Sequence, residues 1–164
     1  MRILVMSDSH STMRYMRLAM DIVKPEAVIH LGDHYDDAAA LSEEYSHIRF
    51  HMLPGNCDRN RCPADTPLIF YYCIGGVKFY MTHGHLHGVK SGLSRLLADA
   101  REKNVQAVLY GDTHIADCRQ EIDLWIVNPG SCRGADGSVA VIETDGSAIV
   151  SCEILQVRDL EEKV

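Results

Sequence analysis

Five short polar segments each follow an apolar run in this chain, and this repeated order constrains the fold more than any other feature of the sequence. The apolar runs cover residues 3–6, 27–31, 49–53, 77–81 and 107–110. The polar segments are Asp8-Ser9-His10, Gly32-Asp33-His34-Tyr35-Asp36, Gly55-Asn56-Cys57-Asp58, Thr82-His83-Gly84-His85 and Gly111-Asp112-Thr113-His114. Such runs predict buried strands, and the carboxyl ends of parallel strands meet at one edge of a sheet. The pattern therefore predicts that Asp, His and Asn side chains, which bind divalent metals, converge at one site.

The order of the predicted elements favours an α/β fold. In the first half, strands at 2–7, 27–31 and 49–53 alternate with helices at 11–23 and 38–45, which is typical of parallel strands with right-handed crossovers. The second half predicts a hairpin around Gly75-Gly76, a helix at 91–103 and strands at 107–110, 115–121, 124–127, 139–144 and 148–155. A two-sheet β-sandwich core with flanking helices fits this order better than one open sheet.

Length and composition indicate a single soluble domain. A chain of 164 residues is long enough to bury one substantial core. We assign residues 1–157 to the domain and interpret residues 158–164 as a charged, frayed tail. No apolar run is long enough to span a membrane, and the first residues are too short an apolar segment for a signal peptide.

The net charge indicates which partners are favoured, and the positions of the cysteines indicate the compartment. A net charge of -7 disfavours extended nucleic-acid binding, which depends on Lys and Arg contacts to phosphates. The six cysteines are scattered without metal-finger spacing, so we expect free thiols in a reducing cytoplasm rather than disulfides. Bound divalent cations would offset part of the negative charge, so a small phosphate ester remains a suitable partner. The sequence is compatible with an oligomer as well as with a monomer.

Taken together, the five polar segments resemble the motifs of the calcineurin-like metallophosphoesterases, and most of all those of the small single-domain phosphodiesterases. They match D-x-H, G-D-x-x-D, G-N-x-D and H-G-H in order, and the last segment matches G-H-x-H in part. The resemblance extends over most of the chain. It implies a four-layer αββα architecture and two divalent metal ions as cofactors. Mixed imidazole and oxygen ligands favour Mn, with Fe, Ni, Zn or Mg as alternatives.

The resemblance also implies which residues bind the metals. Asp33 corresponds to the carboxylate that bridges the two ions. The other implied ligands are Asp8, His10 and His114 for the first metal, and Asn56 and His83 for the second. A water held between two such ions loses a proton near neutral pH and, as hydroxide, attacks phosphorus.

Asp112 departs from the family pattern, because it stands where a histidine ligand of the second metal is expected. An aspartate ligand would make the second site richer in oxygen and would favour Mn, Fe(II) or Mg over Zn. The alternative is that the shorter side chain of Asp112 does not reach the metal, which then binds weakly.

Three further residues of these segments bear on catalysis. We interpret Asp36 and Asp58, with the ligand Asn56, as catalytic residues, the two carboxylates orienting ligands or waters; solvated or turn-capping roles are the alternative. Cys57 follows Asn56 at a position where many phosphomonoesterases have a histidine that protonates the leaving group. A thiol is a poorer acid for this task, because its ordinary pKa is about two units higher. The alternative for Cys57 is a small buried packing residue.

The leading interpretation is a cytoplasmic, metal-dependent phosphoesterase that hydrolyses phosphodiesters or activated phosphate esters. A phosphomonoesterase of small metabolites is the first alternative, and Cys57 disfavours it. A non-catalytic scaffold is the second, because the superfamily includes a retromer subunit with this fold that acts as an interaction platform. The near-complete ligand set argues against a scaffold, and only Asp112 favours it.

Overall fold

Strands and helices alternate through the first half of the chain, as the sequence predicts. The computed structural model describes residues 1–162. The first half forms β1 (Arg2–Met6), α1 (Met13–Val23), β2 (Ala27–His30), α2 (Tyr35–Glu44) and β3 (Arg49–Met52). The second half forms β4 (Ile69–Ile74), β5 (Val77–Thr82), α3 (Ser94–Glu102), β6 (Ala107–Leu109), β7 (Asp117–Glu121), β8 (Leu124–Asn128), β9 (Ser138–Thr144), β10 (Ile149–Gln156) and α4 (Val157–Glu161). Two single-turn 3₁₀ helices, His85–His87 and Val89–Ser91, precede α3.

The strands form two five-stranded mixed sheets. In the first sheet the order is β10-β9-β1-β2-β3, with β1, β2 and β3 parallel and β9 antiparallel to β1. In the second the order is β4-β5-β6-β8-β7, with β5, β6 and β8 parallel. The parallel strands of each sheet therefore bring the segments that follow them to one edge, which is the arrangement that places a site.

Apolar side chains fill three layers between and outside the sheets. One cluster lies between the sheets and takes Ile3 and Ile29 from the first sheet and Phe79 and Leu109 from the second. A second cluster joins the first sheet to the helices outside it, and a third joins the second sheet to α3. The architecture is therefore helix, sheet, sheet, helix, and the predicted two-sheet α/β fold is confirmed.

The end of the chain differs from the predicted frayed tail. The last helix, α4, begins at Val157, and its apolar side chains at Val157 and Leu160 are 0% and 1% exposed. Leu160 packs in the same cluster as Met16 of α1, so burial of apolar area holds this segment against the domain. Residues 163–164 of the predicted tail lie outside the described residues. Across the part of the chain described, every helix is too short or too polar to cross a membrane.

One pair of cysteines departs from the expectation of free thiols. Cys118 of β7 and Cys152 of β10 form a disulfide between the two sheets, with their Cα atoms 6.6 Å apart. The pair is 34 residues apart in sequence, and only the packing of one sheet on the other brings the two strands together. Four cysteines remain free: Cys57, Cys62, Cys73 and Cys132.

Candidate metal centre

The five polar segments meet at the carboxyl edge of the two sheets. Two glycines of these segments leave room for the acidic side chains beside them. A Cβ atom on Gly55 would overlap the carboxylate of Asp33, and one on Gly111 would overlap the hydroxyl of Ser7 and approach the carboxylate of Asp8. Glycine at these two positions therefore lets loops from different strands approach closely.

The first group of potential ligands consists of Asp8, His10 and His114, whose ligand atoms all lie within 4.8 Å of one another. The Nε2 atoms of His10 and His114 are 3.5 Å apart, and Nε2 of His114 is 3.0 Å from Oδ1 of Asp8. Burial lowers the pKa of His10, while the carboxylates of Asp8 and Asp33 oppose that shift. A lowered pKa keeps the imidazole neutral near pH 7, which is the form that binds metals.

The second group centres on the buried imidazole of His83. Its Nδ1 lies 2.8 Å from the carbonyl oxygen of Leu31, and because a carbonyl only accepts, Nδ1 carries the proton and donates it. In the neutral ring Nε2 then presents a lone pair. Around it lie Oδ1 of Asn56 at 3.2 Å, Oδ1 of Asp33 at 3.5 Å and Oδ1 of Asp112 at 3.6 Å. Several acceptors facing one lone pair repel one another unless a proton or a cation lies among them, and a metal ion fits this donor set.

The two groups share a carboxylate. Asp8 lies in the first group, and it also belongs to the second, in which its carboxylate, with those of Asp33 and Asp112 and the amide of Asn56, surrounds His83. Asp33 is 4% exposed, and its Oδ1 accepts the backbone N–H of Cys57 at 2.9 Å. Although burial opposes ionisation of Asp33, this bond and the nearby His83 hold the pKa of Asp33 below its ordinary value. The bridging role that the resemblance implies for Asp33 stays a prediction; here the common member is Asp8.

Three buried carboxylates, those of Asp8, Asp33 and Asp112, surround His83. Burying several like charges is unfavourable unless cations lie among them. Lys90 supplies one cation: its Nζ lies 2.8 Å from Oδ1 of Asp112, and this bond raises the pKa of Lys90. The sequence patterns do not predict Lys90 as a site residue. Its only signal in the sequence is its position between Gly88 and Gly92, in a segment that follows a predicted ligand motif.

Five of the predicted ligands adopt left-handed backbone conformations that L-amino acids seldom adopt. The φ angles are 55° at Asp8, 46° at His10, 56° at Asp33, 65° at Asp112 and 60° at His114. Each such conformation costs of order 1–3 kcal/mol and persists only where the surroundings impose it, most often at functional sites. Their concentration here supports a function for the edge where these residues meet.

Asp58 and Asp36 occupy different environments. Asp58 is 0% exposed, and its carboxylate accepts backbone N–H groups of His34, Tyr35 and Gly55 at 2.8, 3.0 and 2.8 Å. It therefore fastens the Asp33 loop to the Asn56 loop and caps α2. Asp36 is exposed and pairs with Arg61 at 2.6 Å. It also groups with His34 and Asp37, outside the two groups described above. Catalytic roles for both stay predictions.

Cys57 does not pack in the core. Its side chain is exposed beside Asn56, so the packing interpretation is wrong. Partial desolvation of the thiol and its hydrogen bond to Asp33 raise the pKa of Cys57, which keeps it protonated near pH 7.

Two residues outside the predicted set support the last and the first of the polar segments. The side-chain amide of Asn128 donates to the carbonyl of Gly111 at 3.1 Å and to the hydroxyl of Thr113 at 3.0 Å. The hydroxyl of Ser131 donates to the carbonyl of Asp8 at 2.7 Å. The turn that contains Asn128 and Ser131 therefore holds the backbone of two of the loops that carry predicted ligands.

Several known proteins with similar sequences and structures are phosphoesterases by name. The chain is 29% identical to a probable metallophosphoesterase, YsnB of Bacillus subtilis, over 81% of this chain and 76% of that protein. It is 29% identical to the phosphodiesterase MJ0936 of Methanocaldococcus jannaschii, over 82% of this chain and 86% of that one. A crystal structure of a predicted phosphoesterase from Streptococcus pneumoniae superposes with a TM-score of 0.76 at 28% identity, over 96% of this chain and 90% of that one.

The family assignment follows from a match over most of the sequence. Residues 1–147 match the description "Calcineurin-like phosphoesterase superfamily domain". The matched region contains all five polar segments and both groups of potential metal ligands. The chain therefore belongs to the calcineurin-like phosphoesterase superfamily.

Proposed function

We propose that the protein is a phosphodiesterase that hydrolyses small phosphodiesters, or phosphate esters with good leaving groups, with two divalent metal ions as cofactors. Asp8, His10 and His114 would hold the first ion. Asn56, His83 and Asp112 would hold the second, and Asp33 is the carboxylate proposed to serve both. Mn²⁺ is the proposed metal, because the second site combines two carboxylates and an amide with a single imidazole.

One observation carries this proposal: Nε2 of His83, with its lone pair exposed by the bond from Nδ1 to Leu31, faces side-chain oxygens of Asn56, Asp33 and Asp112 within 3.2–3.6 Å. This arrangement of acceptors is favourable only with a proton or a cation among them, and a metal ion fits the donor set. In the first group Nε2 of His114 lies 3.0 Å from Oδ1 of Asp8 and 3.5 Å from Nε2 of His10, so a second cation fits there.

In the proposed reaction the metal ions and the side chains have different roles. Bound divalent ions supply a water acidified to near neutral pKa and stabilise negative charge on the phosphate oxygens. The buried carboxylates of Asp8 and Asp33 hold those ions at fixed positions, and the hydrogen bonds to Leu31 and Cys57 orient His83 and Asp33. Such supporting bonds hold ligands in their binding geometry.

The choice of a diester rests on Cys57 and on one relative. A thiol with a raised pKa is a poor proton donor for a strongly basic alkoxide, so esters with good leaving groups are favoured. The named activity of the relative MJ0936, a phosphodiesterase, supports the same choice. We propose a cytoplasmic location as well. The disulfide between Cys118 and Cys152 is uncommon in a reducing compartment and argues against this location, but it does not bear on the proposed activity.

Hydrolysis of bis-p-nitrophenyl phosphate and p-nitrophenyl phosphate by metal-stripped protein, with and without added Mn²⁺, tests the proposal. We expect Mn²⁺-dependent turnover with preference for the diester. Preference for the monoester would favour a phosphomonoesterase. Absence of turnover with every metal tested, despite metal binding, would favour a scaffold.

A matched pair of histidine variants separates the site from the rest of the surface. His114→Ala removes a proposed ligand and should lower turnover at least about tenfold. His47→Ala changes an exposed histidine before β3, at the opposite edge of the sheet, and should leave turnover unchanged. Equal activity of the two variants would contradict the proposed first metal site.

A further inference from the structure

Lys90 lies between the candidate metal centre and an adjoining cleft. It is the middle residue of the single turn Val89–Ser91, which Gly88 and Gly92 flank with φ angles of 63° and 139°. The side chain is 66% exposed, yet its ammonium is 2.8 Å from a carboxylate that is only 7% exposed, that of Asp112. A surface cation therefore reaches into the site.

The oxygen that Lys90 contacts is also an oxygen of the second ligand group. Oδ1 of Asp112 is 2.8 Å from Nζ of Lys90 and 3.6 Å from Nε2 of His83. A metal ion bound by His83 and by this oxygen would carry positive charge close to the ammonium. Two cations at one carboxylate oxygen repel each other, so metal binding at Asp112 favours movement of Lys90 away from it.

The space beside Lys90 suits the organic part of a phosphate ester. A cleft of about 520 Å³ opens there, lined by Lys90, Thr113 and the apolar side chains of Val89, Leu93 and Ile115. Thr113 precedes His114, so the cleft borders the first ligand group as well as Asp112. An ammonium that leaves Asp112 remains at the boundary between this cleft and the metal centre, where an incoming phosphate would lie.

We propose that Lys90 is a positioning residue that exchanges between two anions. Without a cation in the second ligand group it neutralises Asp112. Once Asp112 binds metal, Lys90 donates hydrogen bonds to a phosphate oxygen of the substrate, whose organic group occupies the cleft. The inference deepens the proposed function and rests on it. No covalent bond is formed or broken in this exchange, and the lysine keeps its charge throughout.

Opposite changes in metal affinity and phosphate affinity are the signature of this exchange. Removing the ammonium in Lys90→Met removes a competitor for Asp112, so the metal-stripped protein should bind Mn²⁺ about three- to tenfold more tightly. The same variant lacks a charged donor for phosphate, so Mn²⁺-loaded protein should bind inorganic phosphate roughly tenfold more weakly. A lysine that merely held the loop in place would weaken both affinities.

The experiment is isothermal titration calorimetry, first with Mn²⁺ and then with inorganic phosphate, on wild type, Lys90→Met, Lys90→Arg and Lys103→Met. Lys103 is an exposed residue at the end of α3, at the opposite edge of the sheet from the site, and its variant should match wild type in both titrations. Lys90→Arg keeps the charge and should restore most of the phosphate affinity.

Two failures are distinguishable. If wild type binds no divalent metal, the proposed function is wrong and the inference about Lys90 falls with it. If wild type binds Mn²⁺ but Lys90→Met leaves its metal affinity unchanged or weaker, or leaves phosphate affinity unchanged, the role of Lys90 alone is overturned. The side chain is largely exposed, so the substitution leaves the core intact.

Discussion

The carboxylate of Asp58 accepts the backbone N–H of His34 at 2.8 Å, which ties the loop after β3 to the loop after β2. The same carboxylate accepts the N–H groups of Tyr35 and Gly55. A single buried side chain thus fixes the relative position of the loops that carry Asp33 and Asn56. Its contribution to the site is made through the backbone rather than through contact with a ligand atom.

Asp58→Asn should therefore destabilise the metal-free protein by about 2–4 kcal/mol. The amide keeps the shape of the carboxylate but loses its charge, and its NH₂ group faces backbone donors, so at least one buried N–H is left unsatisfied. Urea unfolding measures the change. Asp36→Asn is the matched control, because the exposed pair with Arg61 contributes about 1 kcal/mol or less. Equal losses in the two variants would contradict the role assigned to Asp58.

Asp33→Ala should lower Mn²⁺-dependent diester hydrolysis to less than about a tenth of wild type, since loss of a metal-orienting or metal-binding carboxylate costs at least tenfold. Steady-state assays with matched circular dichroism spectra test this expectation. Retention of more than that fraction by a folded variant would contradict the two-metal proposal.

Asp112→His should shift metal preference from Mn²⁺ toward Zn²⁺ or Ni²⁺, by about tenfold in relative affinity, because imidazole replaces a carboxylate oxygen among the ligands. Competition against a chromophoric chelator measures the ratio of affinities. Asp112→Asn, which keeps an oxygen and removes the charge, provides the comparison. A ratio that is unchanged in the histidine variant would argue that Asp112 does not bind the second metal.

His30 should make the protein less stable in mild acid. It is 0% exposed, its Nδ1 accepts the N–H of Gly32, and its Nε2 has no partner. Burial lowers the pKa of His30 from 6.5 to about 4. At pH values below the ordinary pKa of histidine, the unfolded chain therefore binds more protons than the folded chain. Stability is retained above about pH 6.5 and lost as pH falls toward 4, with a loss of about 2 kcal/mol between about pH 7 and 5.

Urea unfolding of metal-free protein at several pH values tests this expectation. The comparison variant is His30→Asn, whose side-chain oxygen can still accept from Gly32 but does not titrate. It should be less stable overall and should show a shallower dependence on pH than wild type. An equal slope in the two proteins would assign the acid sensitivity to other groups.

Much of the fold follows from local pattern. The β1 and β5 runs are apolar throughout or nearly so, and their ends agree with the predicted strands to within a residue. Helix α2 begins at Tyr35 rather than at 38, because the buried carboxylate of Asp58 caps its start from 23 residues away. The same kind of distant contact explains α4, whose apolar residues find a partner only when α1 is in place.

Local sequence pattern was enough to predict that these Asp, His and Asn side chains converge, because side chains that follow parallel strands reach the same sheet edge whatever the details of the loops. Tertiary packing was needed to show which carboxylate is common to both groups and that Asp58 acts through backbone amides. It was also needed to bring Cys118 to Cys152 and Lys90 to Asp112. The difference arises from the sequence separation of the interacting residues. Strand and helix patterns arise from neighbours along the chain, whereas hydrogen bonds and ion pairs act over a few ångströms between residues that only packing brings together.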